Sequence, residues 1–175
     1  MVENHVRSAL VPLYPRLRRF AVALTGSRAE GDDLVQHACE RALARTYQWQ
    51  PGSRLDSWLF RIIQNTWADE RKSARSRTQA PIEAATDEIG DDGVRRAEAR
   101  LTLDNVYREL CNLPEEQRAV LTLVCVDGLS YKEVAEILGI PVGTVMSRVA
   151  RGRLALADRI EASGAPSADN ILKLR

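Results

Sequence analysis

Residues 130–153 hold two short helical patterns separated by a glycine and a proline, and this spacing constrains the fold more than any other stretch of the chain. Ser130 and Glu133 form a Ser-x-x-Glu capping box at the start of the first pattern. Val134, Ala135 and Leu138 give that helix one apolar face, and Ala135 is small enough for a second helix to approach. Gly139 stands where a helix ends in a left-handed residue. Ile140 plugs the turn, and Pro141 opens the next helix. There Val145 and Val149 are expected inward, which leaves Thr144, Ser147, Arg148, Arg151 and Arg153 outward. A helix-turn-helix of this kind lays its second helix in a DNA major groove, with hydroxyls and guanidiniums aimed at bases and phosphates. The spacing favours this reading but also fits a helical hairpin with a solvated basic face, since such patterns arise by chance.

Just upstream lie Leu113-Pro114-Glu115-Glu116-Gln117-Arg118-Ala119-Val120-Leu121-Thr122-Leu123 and then Asp127-Gly128-Leu129-Ser130. Together with Gly143-Thr144-Val145-Met146-Ser147-Arg148 they extend the pattern over residues 98–157. This stretch resembles region 4, the promoter-reading C-terminal domain of sigma factors, and is most similar to the small extracytoplasmic-function group of the sigma-70 family. The resemblance implies that Thr144, Ser147, Arg148, Arg151 and Arg153 meet the minus-thirty-five duplex. Met146 departs from the group, which usually carries a lysine there. A phosphate contact is therefore absent, or shifted to Arg148 or Arg151.

Elsewhere helical periodicity dominates and no strand-like alternation stands out, so the expected class is all-α. Val6, Leu10, Leu13, Leu17, Phe20, Ala21 and Leu24 repeat at three and four residues, with Pro12 and Pro15 expected to split this run into a short helix and a longer one. Ser27 and Glu30 mark a second cap, followed by Leu34, Ala38, Ala42 and Arg45 on one face. Gln50–Ser53 reads as a turn. Leu55, Trp58, Leu59, Ile62 and Ile63 then mark an amphipathic helix to about Ala74. Residues 76–97 are polar, acidic and aperiodic, as expected of a flexible linker. The expectation is two small helical domains, 1–75 and 98–160, with the linker between them and a mobile tail over 161–175.

Composition removes several function classes. The 175 residues carry a net charge of +1, which at first argues against nucleic acid. Residues 1–77 nevertheless hold 13 Lys/Arg against 8 Asp/Glu, residues 78–97 hold 2 against 5, and residues 98–175 hold 10 against 11. A near-neutral total thus conceals local basic surfaces. No run of about 18 apolar residues exists, so neither membrane insertion nor a secretory signal is expected. Cys39, Cys111 and Cys125 stand singly and suit a reducing cytoplasm, either as small buried hydrophobes or in a redox role. Only two histidines occur, and no nucleophile–base or metal-ligand spacing is visible, so neither an enzyme nor a metal or cofactor site is expected.

The N-terminal half extends the resemblance to roughly residues 6–160. Ala29-Glu30-Gly31-Asp32-Asp33-Leu34-Val35-Gln36 is similar to sigma region 2.2, the helix that grips the clamp of RNA polymerase. The resemblance implies polymerase contacts at Asp32, Asp33, Leu34 and Gln36. His37 follows where the family usually has glutamate, which weakens or retunes that contact. The segment from Trp58 to Asn65, with Asp69, Arg71, Lys72 and Arg75 after it, is similar to regions 2.3 and 2.4, which open and read the minus-ten element. That implies DNA contacts at Arg61, Asn65, Arg71, Lys72 and Arg75. The 49–54 loop, with Trp49 and Arg54, lies where related sigma factors capture a flipped base, and Trp49 either stacks on such a base or lids the core.

The implied function is that of an alternative sigma factor. Its partners would be core RNA polymerase, through the beta-prime clamp and the beta flap, together with promoter DNA and an anti-sigma factor. Two other readings share part of the pattern. One is a helix-turn-helix regulator acting without polymerase, and the other is a sigma mimic that sequesters an anti-sigma factor.

Overall fold

A computed structural model of the chain describes residues 2–77 and 105–163. The expected linker beyond residue 77, the start of the second expected domain at residue 98, and the tail after residue 163 lie outside the described residues. All regular elements among those described are helical.

Helix α1 runs unbroken over Val2–Thr25 with Pro12 and Pro15 inside it, which corrects the expected split. The stripe Val6, Leu17, Phe20 and Leu24 is almost fully buried, whereas both prolines and the residues four before them, Ser8 and Val11, are exposed. The carbonyls that the prolines leave without donors therefore face water, and packing of the opposite side holds the helix together.

Helix α2, Arg28–Ala44, starts at Ser27, whose hydroxyl accepts the Glu30 N–H at 3.4 Å. It crosses α1 closely at Gly31, where a Cβ would stand 2.8 Å from the Val22 backbone nitrogen. A short 3₁₀ turn, Thr46–Gln48, leads to helix α3, Leu55–Arg77. Phe60 of α3 meets Phe20 of α1 edge to face, ring centroids 5.4 Å apart.

The second half begins with the helical residues 105–111, α4, followed by α5, Glu115–Leu121. Helix α5 widens into a π turn over Thr122–Val126, which the sequence pattern does not announce. Helix α6, Tyr131–Leu138, has the capping box in both directions: the Ser130 N–H donates to Glu133 at 2.8 Å and the Glu133 N–H to the Ser130 hydroxyl at 3.3 Å. It ends at Gly139, φ 65°. Helix α7, Val142–Ala162, then buries Val145 and Val149.

The halves are packed on each other, α1 against α5 and its π turn, α3 against α6, and they share one continuous apolar core. The contact also carries charge. The Asp127 carboxylate takes Arg16 Nε at 3.0 Å and Arg19 Nη2 at 3.1 Å, and Arg28 lies over the Tyr107 ring at 5.2 Å.

Candidate polymerase and nucleic-acid interfaces

The α2 face expected to meet polymerase divides in two. Leu34 is 1% exposed and belongs to the core, so it shapes the helix and offers no contact surface. Asp33 and Gln36 are exposed, with Gln36 Nε2 donating to Glu40 at 3.3 Å. Asp32 is held by Arg18, whose Nη2 lies 2.9 Å from it, and that bond keeps its carboxyl below the usual range. His37 Nδ1 lies 3.1 Å from Glu70 of α3.

Between α2 and α3 opens a groove of about 540 Å³ with Arg41, Arg45, Arg61, Asn65 and Lys72 on its walls and Trp58 at its side. Arg41 is fixed by Thr66 at 3.1 Å and Asp69 at 3.0 Å, both on α3, so the two helices hold a cation at the rim. Asn65 and Lys72 are exposed. Three of the other expected minus-ten residues are engaged by the second half. Arg61 donates to the Glu136 carbonyl at 2.7 Å, Arg71 pairs with Glu115 at 2.6 Å, and Arg54 pairs with both Asp56 and Glu133. The side chain of Arg75 lies outside the described residues.

Burial pushes the Asp56 carboxyl upward, but hydrogen bonds from Arg54, the Ser57 N–H and Arg16 outweigh it and hold it low. Glu133 is lowered first by the Ser130 backbone N–H and then by the Ser130 hydroxyl. Trp49 is 8% exposed and stacks on His5 of α1, centroids 5.2 Å apart. Of the two roles open to it, the lid over the core is the one it occupies here. The aromatic ring left in solvent beside the groove is Tyr47, 78% exposed and next to Gln48, a groove residue.

On α7, Ser147 and Arg151 stand outward, Arg151 Nε donating back to the Ser147 carbonyl at 3.3 Å, and Thr144 is half-buried beside them. Two arginines expected outward are turned toward the protein. Arg148 pairs with Glu116 of α5 at 2.7 Å and is 19% exposed. Arg153 packs on Cys125, Nη2 to Sγ 3.5 Å. Each sits toward a flank of α7, where α5 supplies Glu116 and the π turn supplies Cys125. The three cysteines are free and half-buried, with the Cys39 and Cys111 thiols pushed up by burial. Among the described residues, no cluster of metal-ligating side chains occurs and no helix is long and apolar enough to cross a membrane.

Comparison with known proteins follows the same division. The family pattern "Sigma-70, region 4" matches residues 103–156, and the "Sigma2 domain of PhyR" pattern matches residues 10–64. The ECF RNA polymerase sigma factor EcfG of Rhodopseudomonas palustris is 38% identical over 163 residues, covering 93% of this chain and 88% of that protein. SigW of Bacillus subtilis, another ECF RNA polymerase sigma factor, is 30% identical, covering 86% and 87% respectively. Among solved structures, the sigma factor RpoE of Bartonella quintana in complex with the anti-sigma factor NepR superposes with a TM-score of 0.76 at 29% identity, covering 89% of this chain and 96% of that one. With region 4 matched in sequence and relatives of this identity spanning nearly the whole chain, the protein belongs to the extracytoplasmic-function sigma factors of the sigma-70 family.

Proposed function

We propose that this chain is an alternative sigma factor that binds core RNA polymerase in the cytoplasm and directs initiation at a dedicated set of promoters. The chemistry would belong to polymerase; this chain would supply promoter choice and melting. Asp33 and Gln36 on the outer face of α2 would meet the clamp. The basic groove between α2 and α3 would hold the minus-ten strand, with Asn65 and Lys72 facing it and Arg54, Arg61 and Arg71 joining once they exchange Glu133, the Glu136 carbonyl and Glu115 for phosphates. Helix α7 would read the minus-thirty-five duplex through Thr144, Ser147 and Arg151. The observation that carries this reading is the pairing, on one chain, of a cationic groove with a separately capped helix-turn-helix whose second helix presents hydroxyl and guanidinium groups to solvent.

An anti-sigma partner is part of the proposal, supported by the likeness to a sigma factor crystallised with one. A second reading, a sigma mimic that captures an anti-sigma factor, is favoured by the match of residues 10–64 to the pattern of PhyR, an anti-anti-sigma factor crystallised in Bartonella quintana with an anti-sigma factor. Run-off transcription with purified core enzyme on a genomic fragment library separates the two. A sigma factor yields discrete transcripts and co-purifies with core enzyme, whereas a mimic does neither.

A further inference from the structure

Helix α7 carries an apolar row on its solvent side. Val142 is 41% exposed, Met146 53% and Leu154 58%, and the exposed Ala150 stands between the last two. Residues four apart on a helix lie nearly one above the other, with a drift of about 40° per step, so these side chains form a row that winds about a third of a turn round the helix. The orientation is fixed, because Val145 and Val149 are 0% and 2% exposed in the core beneath. Ser147 and Arg151, each one residue further round, stand beside Met146 and Ala150.

The surroundings indicate what covers this row. From residue 137 to 157 the chain has no Asp or Glu, and of its three arginines Arg151 stands on the open face, while Arg148 is held by Glu116 and Arg153 packs on Cys125. A polyanion fits this setting. The span from Val142 to Ala150 is about 12 Å at about 1.5 Å per residue, comparable with the width of a major groove. Leu154 falls beyond it. Of the four bases only thymine offers an apolar group there, its C5 methyl.

We propose that Met146, flanked by Val142 and Ala150, is a specificity-determining contact that packs on thymine methyl groups in the minus-thirty-five element. This rests on the reading of α7 as the DNA-reading helix. A lysine at this position would bind phosphate whatever the sequence. Methionine replaces that contact with one that only a thymine-bearing pair satisfies, while Ser147 and Arg151 keep the polar contacts alongside.

The test uses full-length chain assembled with core polymerase and the fragment that gives the strongest run-off transcript. Each thymine of its minus-thirty-five element, on either strand, is replaced singly by deoxyuridine, which removes only the methyl group. One or two replacements should weaken wild-type binding about three- to fourfold each. Met146→Ala should bind thymine and deoxyuridine duplexes alike, and Met146→Lys should also steepen the salt dependence by about one unit. Both variants should melt as wild type does, since Met146 is 53% exposed. Indifference of the wild type to every replacement, an element without A·T pairs, or a thymine preference that survives Met146→Ala would overturn the proposal. So would loss of core-enzyme binding by Met146→Ala, which would make the row a protein-docking face. Failure to initiate on any fragment would instead remove the sigma reading on which the proposal stands.

Discussion

Arg118 Nη2 donates to the Leu24 carbonyl at 3.0 Å, across 94 residues of sequence. The same guanidinium reaches the Ala23 carbonyl through Nε, and the Cys111 and Leu113 carbonyls through Nη1 at 2.8 Å each. It sits at the C-terminus of α1, where the last carbonyls lack helical donors and carry the negative end of the helix dipole. Burial presses the Arg118 pKa below its usual value, but arginine keeps its charge in proteins. One side chain thus closes α1 and the turn before α5, and ties the two halves together.

Replacing Arg118 with methionine should cost about 3 kcal/mol, because the carbonyls it serves would be left buried with too few donors. Arg118→Lys should recover only part of this, since a single ammonium cannot span the fork that a guanidinium makes. Urea unfolding followed by circular dichroism measures both. A methionine variant as stable as wild type would mean that the interface does not depend on these bonds.

Asp127 is the matching acid. Its side chain is fully buried and binds Arg16 and Arg19 of α1. Asp127→Asn keeps the shape and removes the charge, so it should weaken docking of the halves by about 1–2 kcal/mol. Amide exchange should quicken in the last turns of α1 and in the π turn, and the radius of gyration should rise. Unchanged exchange in both segments would show that apolar packing alone holds the contact.

Such cross-chain relationships explain which parts of the molecule were legible beforehand. The caps at Ser27 and Ser130 and the glycine stop at Gly139 depend on residues within a few positions, and each was visible as a pattern. Leu34 shows a signal that was present and outweighed: its spacing with Ala38 and Ala42 already placed it in the buried stripe, while its place in a familiar segment suggested a contact. Trp49, Arg148 and Arg118 were not legible, because their settings depend on His5, Glu116 and the end of α1, distant in sequence. The prolines of α1 misled for the same reason. Packing against α2 and α3, which the local pattern does not contain, holds the helix unbroken through them.

Leu34 and its neighbours on α2 should separate folding from binding. Leu34→Ala should lose about 2–5 kcal/mol of stability through the cavity it leaves. Asp33→Ala and Gln36→Ala should leave the melting temperature within about 1 °C of wild type and weaken core-polymerase binding about tenfold together, a loss of about 1.4 kcal/mol. Thermal melts and competition binding to core enzyme provide the two readouts. Full polymerase affinity in the Asp33/Gln36 double variant would move the clamp contact off this face.

Acid should loosen the docked arrangement. Asp56 and Glu133 have folded pKa values below their unfolded values of about 4. Their stabilisation is therefore complete above that pH and disappears as pH falls through the folded values. The urea midpoint should be flat from about pH 7 to 5 and fall below about pH 4. Asp56→Asn should lower the plateau and flatten the fall, because asparagine cannot gain a proton. A wild-type midpoint that rises on acidification would contradict the assignment of sign.

The arginines of α7 should divide into one that holds and one that reads. Arg148 is tied to Glu116 at 2.7 Å and mostly covered, whereas Arg151 is exposed on the outward face. Arg148→Ala should loosen α7 against α5 and weaken all duplexes alike, and Glu116→Ala should reproduce much of that effect without touching DNA. Arg151→Ala should leave the melting temperature unchanged and cost about 1–3 kcal/mol on the preferred minus-thirty-five sequence, with far less on a scrambled one. Fluorescence anisotropy of the holoenzyme on both duplexes, with thermal melts of each variant, distinguishes the two roles. Equal losses for Arg151→Ala on both duplexes would make it a phosphate contact, with a salt slope lower by about one unit, and would leave Ser147 and Thr144 as the polar base readers.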